Sequence, residues 1–118
     1  MIIAEELFDR IVALIQLDEH RAPEVTGMLY DTLKLACREA LSNNRELFGN
    51  LFSQVDYLSR KYSMHLRDVV AIQKMRSETR TGMQFSSKEL LSHARALSIF
   101  ISTIFQTAIP TRLNHLLP

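Results

Sequence analysis

Residues 86–110 read SSKELLSHARALSIFISTIFQTAIP, and the fold class turns on its segment IFISTIF (99–105). Taken alone, those seven residues are β-branched and aromatic enough for a strand. They continue a longer pattern, however. Leu90, Ala94, Leu97, Ile101, Ile104 and Ala108 repeat at four, three, four, three and four residues, which is one apolar helix face carried straight through the ambiguous segment. Ser86 and Glu89 are spaced as a capping box, each side chain positioned to satisfy the other's backbone amide. Pro110 lacks the amide a helix needs to continue. The spacing therefore predicts a long, buried helix over 87–108.

The same period recurs upstream. Residues 2–19 place Ile3, Leu7, Ile11, Leu14 and Ile15 on one face, with Glu5, Glu6 and Asp9 near the positive end of the helix dipole. After DEHRAP, Pro23 suits the first turn of a second helix over 23–42, with Met28, Leu29, Leu33, Ala36 and Ala40 inside. Gly27 near its start weakens it slightly or permits close helix packing. Ser42, Asn43 and Asn44 supply turn chemistry before a third helix over 45–62. Its stripe is Leu47, Phe48, Leu51, Phe52, Val55, Leu58 and Tyr62. A break at 63–65 leads to a shorter fourth helix over 66–79, whose apolar residues are Leu66, Val69, Val70, Ile72 and Met75. Periodicity is lost over 79–86. Five helices with short loops imply an all-α, compact bundle whose last helix is long and buried.

Length and composition agree with one domain over 1–118, which would also serve as the N-terminal domain of a larger protein. The chain has 118 residues, is 47% hydrophobic and carries a formal net charge of +1. That apolar fraction is enough for a core and excludes a disordered chain. A lone Cys37 excludes an internal disulfide framework and a thiolate zinc site. The three glycines are isolated and cannot form a phosphate-cradling loop. MIIAEELFDR has neither the basic start nor the unbroken apolar run of a secretory signal. The most apolar window, 94–109, is interrupted by five Ser, Thr and Gln residues and falls short of the ~20 apolar residues of a membrane span. No membrane partner is expected, and the expected location is cytoplasmic.

The charges are unevenly spread. Residues 1–24 sum to −4, while Arg60, Lys61, Arg67, Lys74, Arg76 and Arg80 against Asp68 and Glu78 give +4 over 60–80. Lys61, Arg67, Lys74, Arg76 and Arg80 are thus candidates for contacting DNA or RNA phosphates. A solvated helix face, partly neutralised by the acidic first helix, explains the same residues without a ligand.

Catalytic and metal patterns are sparse. His20, His65, His93 and His115 never fall three or four residues apart, as ligands on one helix face would. No Glu-x-x-His repeat marks a di-iron bundle. Cys37, mid-helix beside Arg38, reads as a buried inert thiol. No catalytic residue, metal or cofactor is expected. Among the methionines, Met83 in the loop is the candidate for an exposed contact.

Residues 69–110 begin VVAIQKMRSETRTGMQFSS, a short helix ending in Ile-x-x-Met-Arg, then a loop of eight to ten residues and a long apolar helix. This order resembles the HEPN group of helical bundles (higher eukaryote and prokaryote nucleotide-binding domains). It is most similar to the bacterial branch at the N-terminus of restriction-motor and helicase-type proteins. RELFGNLFSQVDYLSRKY (45–62) looks like that group's preceding helix, so the likeness spans 22–110. Carried over by position, Arg76 matches the family arginine, Arg80 stands at the asparagine position and Gln84 at the histidine position. Glutamine has no titratable group near neutral pH and cannot shuttle the proton that histidine does in the active ribonucleases.

The resemblance implies a degenerate, non-catalytic domain serving interaction or dimerisation inside a nucleic-acid-processing protein. It implies a two-fold homodimer in which the last helices and the 76–84 loops meet. Leu91, Ile99, Phe100 and Phe105 lie outside the heptad seam, so with Met83 the candidate dimer contacts are Leu91, Phe100 and Phe105. The alternatives are a stand-alone nucleic-acid-binding domain, or a residual ribonuclease using His65 or His93. Arg76 and Arg80 also read simply as helix-end cations facing terminal carbonyls.

Overall fold

A computed structural model describes residues 2–17, 22–42 and 49–118, and all regular structure among them is helical. The helices are α1 (Ile2–Ile15), α2 (Ala22–Ser42), α3 (Leu51–Lys61), α4 (Leu66–Arg80), α5 (Ser87–Ile104) and a one-turn α6 (Thr111–Asn114). The all-α bundle is as the periodicity predicts, with α6 in addition.

The deciding segment is helical. The α5 N-terminus carries the capping box, with the Glu89 amide donating to Ser86 Oγ and the Ser86 amide to Glu89 Oε1, both at 3.2 Å. Ala94, Leu97, Ile101 and Ile104 are buried, as the heptad reading requires. The helix stops at Ile104, before Ala108 and well before Pro110. Gln106 takes a left-handed φ of 52°, and its amide and that of Thr107 donate to the carbonyls of Thr103 and Ser102. That reversal is a Schellman motif. It turns the chain so that Leu113 of α6 enters the core and Arg112 pairs with Asp9 of α1.

The off-seam residues of α5 are also accounted for. Phe100 is 0% exposed, packed in the chain's own core with Leu7, Phe8, Ile11, Leu97 and Ile101. Leu91, Ile99 and Phe105 are half-buried, and Phe105 packs against that core. The second apolar face of α5 is thus covered largely from within. Phe100 is corrected from a candidate dimer contact to a core residue. The reason is geometric: α5 is flanked by α1, α2, α3 and α4, so more than one of its faces is internal.

Four other expectations change. Met28 is exposed, because the buried stripe of α2 runs through Val25, Leu29, Leu33, Ala36, Cys37 and Ala40 and leaves it to one side. Gly27 faces open space, so it makes no close helix approach. The start of the third helix moves to Leu51, because Asn50 caps it by accepting from the Ser53 amide at 2.8 Å. Leu47 and Phe48 lie outside the described residues. Phe52 is exposed at the N-terminal end of the helix, one turn before the buried Val55, Leu58 and Ser59.

The α3–α4 turn falls where the sequence breaks. Ser63 has φ 53°, and the Ser63 and Met64 amides donate to the carbonyls of Arg60 and Ser59, a second Schellman motif. Helix α4 then buries Ile72, Met75 and Thr79. It continues to Arg80, past the expected end at 79, and Gly82 turns the chain with φ 71°.

Candidate binding surface

Helix α4 carries two stripes. Ile72, Met75 and Thr79 face the core, while Leu66, Val70, Gln73 and Ser77 recur at four-, three- and four-residue spacing on the far side. The counted apolar residues therefore do not form one face. Leu66 is 77% exposed and Val70 59%, whereas Ile72 and Met75 of the same helix are fully buried. Beside Leu66, a cavity of about 300 Å³ opens between the end of α3 and the start of α4, lined by Asp56, Ser59, Arg60, Met64 and Val69. Ser59 Oγ is buried without a hydrogen-bond partner among the described residues.

The cations of 60–80 do not make a single patch. At ~100° per residue, Arg67 and Arg76 stand about 180° apart around α4. Arg67 and Lys74 share one side, and Arg76 and Arg80 the other, with the Leu66–Val70 stripe between them. Lys61, at the end of α3, lies 5.8 Å from the Tyr57 ring and 5.7 Å from that of Tyr62. Arg60 is engaged by Asp56 at 3.2 Å. Arg67, Lys74, Arg76 and Arg80 have no carboxylate at ion-pair distance among the described residues.

Arg76 is held back toward α3. Its Nε donates to Gln73 Oε1 at 2.7 Å, and its guanidinium lies 5.3 Å from the centre of the Phe52 ring. Gln73 in turn donates to the Phe52 carbonyl at 3.1 Å. Sequence spacing gave no sign of this contact, since Phe52 and Arg76 sit on different helices. Arg80 lies one turn beyond Arg76 inside the same helix, and Gln84 is exposed in the loop 81–86. The loop is shorter than the eight to ten residues expected, because α4 runs on. Met83 is 48% exposed, and its carbonyl accepts from Thr26 Oγ1 at 3.0 Å, tying the loop to α2.

Behind that loop, His93 of α5 is buried, with Nε2 3.5 Å from Glu78 Oε2 and its ring edge-on to Phe85 at 4.7 Å. Burial holds the imidazole below its ordinary pKa, opposed by the nearby Glu78 carboxylate. Glu89 is shifted down by the Ser86 amide and then the Ser86 hydroxyl, with smaller help from His93 and Lys74. His65 is exposed at the head of α4. Burial pushes the Cys37 thiol up to about 12, so it stays protonated and unreactive at neutral pH. No group of three or more His, Cys, Asp or Glu placed to hold a metal ion occurs among the described residues. None of the described helices is long and apolar enough to cross a membrane.

No family model, curated protein or solved structure matches this chain.

Proposed function

We propose that the chain is a non-catalytic helical interaction module, HEPN-like in the order of its elements and accessory to a nucleic-acid-processing protein. The observation that carries this reading is the outer face of α4, where Leu66 and Val70 stand exposed one turn apart between two pairs of cations. Aliphatic side chains left this open within a charged border fit a contact surface, where an apolar centre is ringed by polar groups. Arg80 at the end of α4 and Gln84 in the following loop, where a related ribonuclease would place its catalytic pair, are exposed to solvent, while Arg76 is engaged by Phe52 and Gln73. His93 is sequestered with Glu78.

Homodimerisation through α5 has less to bury than its composition implies, because Phe100 is internal. Sedimentation at high micromolar concentration tests the homodimer that the resemblance implies, a monomer counting against it, and incubation with a mixed RNA pool is expected to leave the RNA intact. A dimer abolished by Leu91→Glu would support the α5 interface. RNA cleavage lost in His93→Gln would overturn the non-catalytic reading. A nucleic-acid-binding role is the second reading, favoured by the four cations of α4 that lack a carboxylate at ion-pair distance. It predicts binding to labelled oligonucleotides at low salt that weakens in Arg76→Ala/Arg80→Ala.

A further inference from the structure

Resting on the reading of the chain as an interaction module, the geometry points to the occupant of this face: an acidic amphipathic helix of a partner protein, laid along α4. The seam itself is helical in period. Leu66, Val70, Gln73 and Ser77 repeat at four, three and four residues, the spacing that receives another helix side chain into side chain; Leu66, Val70 and Ser77 are exposed, while Gln73 is half-buried and donates to the Phe52 carbonyl of α3. The cavity beside Leu66 lies at one end of that seam and has room for one aliphatic anchor.

Charge selects the partner. Arg67 and Lys74 border the seam on one side, Arg76 and Arg80 on the other, where flanking charges in a helix pair decide which partner is accepted. The acids nearby do not cancel them. Asp56 is taken by Arg60, Glu78 faces His93, and Asp68 lies on the core side of α4. Glu89 of α5 feels Lys74 but makes no ion pair with it. A helix with Leu or Ile along its seam and Glu or Asp beside it meets Arg67, Lys74 and Arg80, with Arg76 turned toward Phe52 of α3.

A second copy of this chain fits less well, because pairing α4 with itself sets cations against the same cations. A phosphate backbone would use the cations but leave Leu66 and Val70 in water. Only an acidic helix uses both features.

The test uses the full chain and a fluorescein-labelled synthetic peptide of three heptads, with Leu at the two seam positions and Glu at the flanking ones. The controls are the same peptide with Lys in place of Glu, and a labelled single-stranded RNA of about the same length. Fluorescence anisotropy is expected to show binding of the acidic peptide and none of the lysine peptide. Leu66→Ala/Val70→Ala is expected to weaken binding about tenfold or more. Arg67→Glu/Lys74→Glu should abolish binding of the acidic peptide and admit the lysine peptide. All four side chains are exposed, so an unchanged circular dichroism spectrum serves as the check on folding.

Absence of acidic-peptide binding, or equal binding of both peptides, overturns the proposal. If the RNA binds instead and Leu66→Ala/Val70→Ala has no effect, the acidic helix is overturned while the interaction reading stands. If the RNA is cleaved, the non-catalytic reading itself falls, whatever the peptides do.

Discussion

Phe100→Ala separates a core role for α5 from an interface role. Phe100 is one of the two largest fully buried side chains, part of the core cluster that includes Leu7, Phe8 and Ile11 of α1 and Leu97 and Ile101 of its own helix. Truncation removes a phenyl ring and leaves a cavity that the surrounding helices only partly close, costing about 3–5 kcal/mol. Against a total of roughly 5–15 kcal/mol, that is a large share. At about 2.1 cal/mol/K per residue, the 118-residue chain has an unfolding entropy of about 250 cal/mol/K. The melting temperature should therefore fall by about 12–20 °C. Urea unfolding at two protein concentrations tenfold apart gives the assay. A core residue shifts the midpoint equally at both concentrations. A loss under about 1 kcal/mol, with a midpoint that tracks protein concentration, would refute the core placement and restore Phe100 to an interface. Leu66→Ala is the contrast, expected to move stability by no more than about 0.5 kcal/mol because its side chain is already in water.

Ser63→Gly and Gln106→Gly should each stabilise the chain by about 1 kcal/mol in urea melts, since both residues hold a left-handed φ that glycine adopts freely; destabilisation would contradict the two Schellman turns. Ser59→Ala should raise stability by about 1 kcal/mol, because it deletes a buried hydroxyl with no hydrogen-bond partner among the described residues. Loss of stability there would mean that the hydroxyl is satisfied in solution. His93 sets a pH dependence. Its folded pKa lies below the ordinary 6.5, so on acidification the unfolded chain takes up the proton first. This contribution is complete above pH 6.5 and declines as pH drops below it, until the folded pKa is reached. Urea melts between pH 5 and 8 should show that decline, and His93→Gln should flatten it.

The fold was legible wherever one helix's own period decided the outcome. The heptad from Leu90 overrode the strand-like IFISTIF, and the Ser86–Glu89 cap marked the start of α5 to the residue. What a single-helix pattern cannot carry is how many of its faces are internal. Phe100 and Leu66 are both apolar residues off a main seam, yet one is fully buried on a helix that four others flank and the other stands in solvent. Helix ends were lost for a related reason. Gln106 ends α5 through a left-handed turn that its residue type does not advertise, whereas Pro110, the visible stop signal, sits after the helix has already ended. At the candidate surface, Arg76 was placed on the fourth helix, whereas Arg80 fell one residue beyond its expected end at 79 and belongs to α4 only because the helix runs on. Their separation from Arg67 and Lys74 follows from helical geometry alone and was there to be read from the nine-residue interval between Arg67 and Arg76. The Phe52–Arg76 and Glu78–His93 contacts join different helices, and only the packed bundle brings them together.

Amide chemical-shift mapping of the full chain, titrated with the acidic three-heptad peptide, tests the central claim most directly. The account predicts that Leu66, Arg67, Val70, Lys74 and Ser77 shift together and saturably, while Ile72, Met75 and the α5 segment 99–105 stay in place. Shifts centred on 99–105, or none along α4, would contradict it.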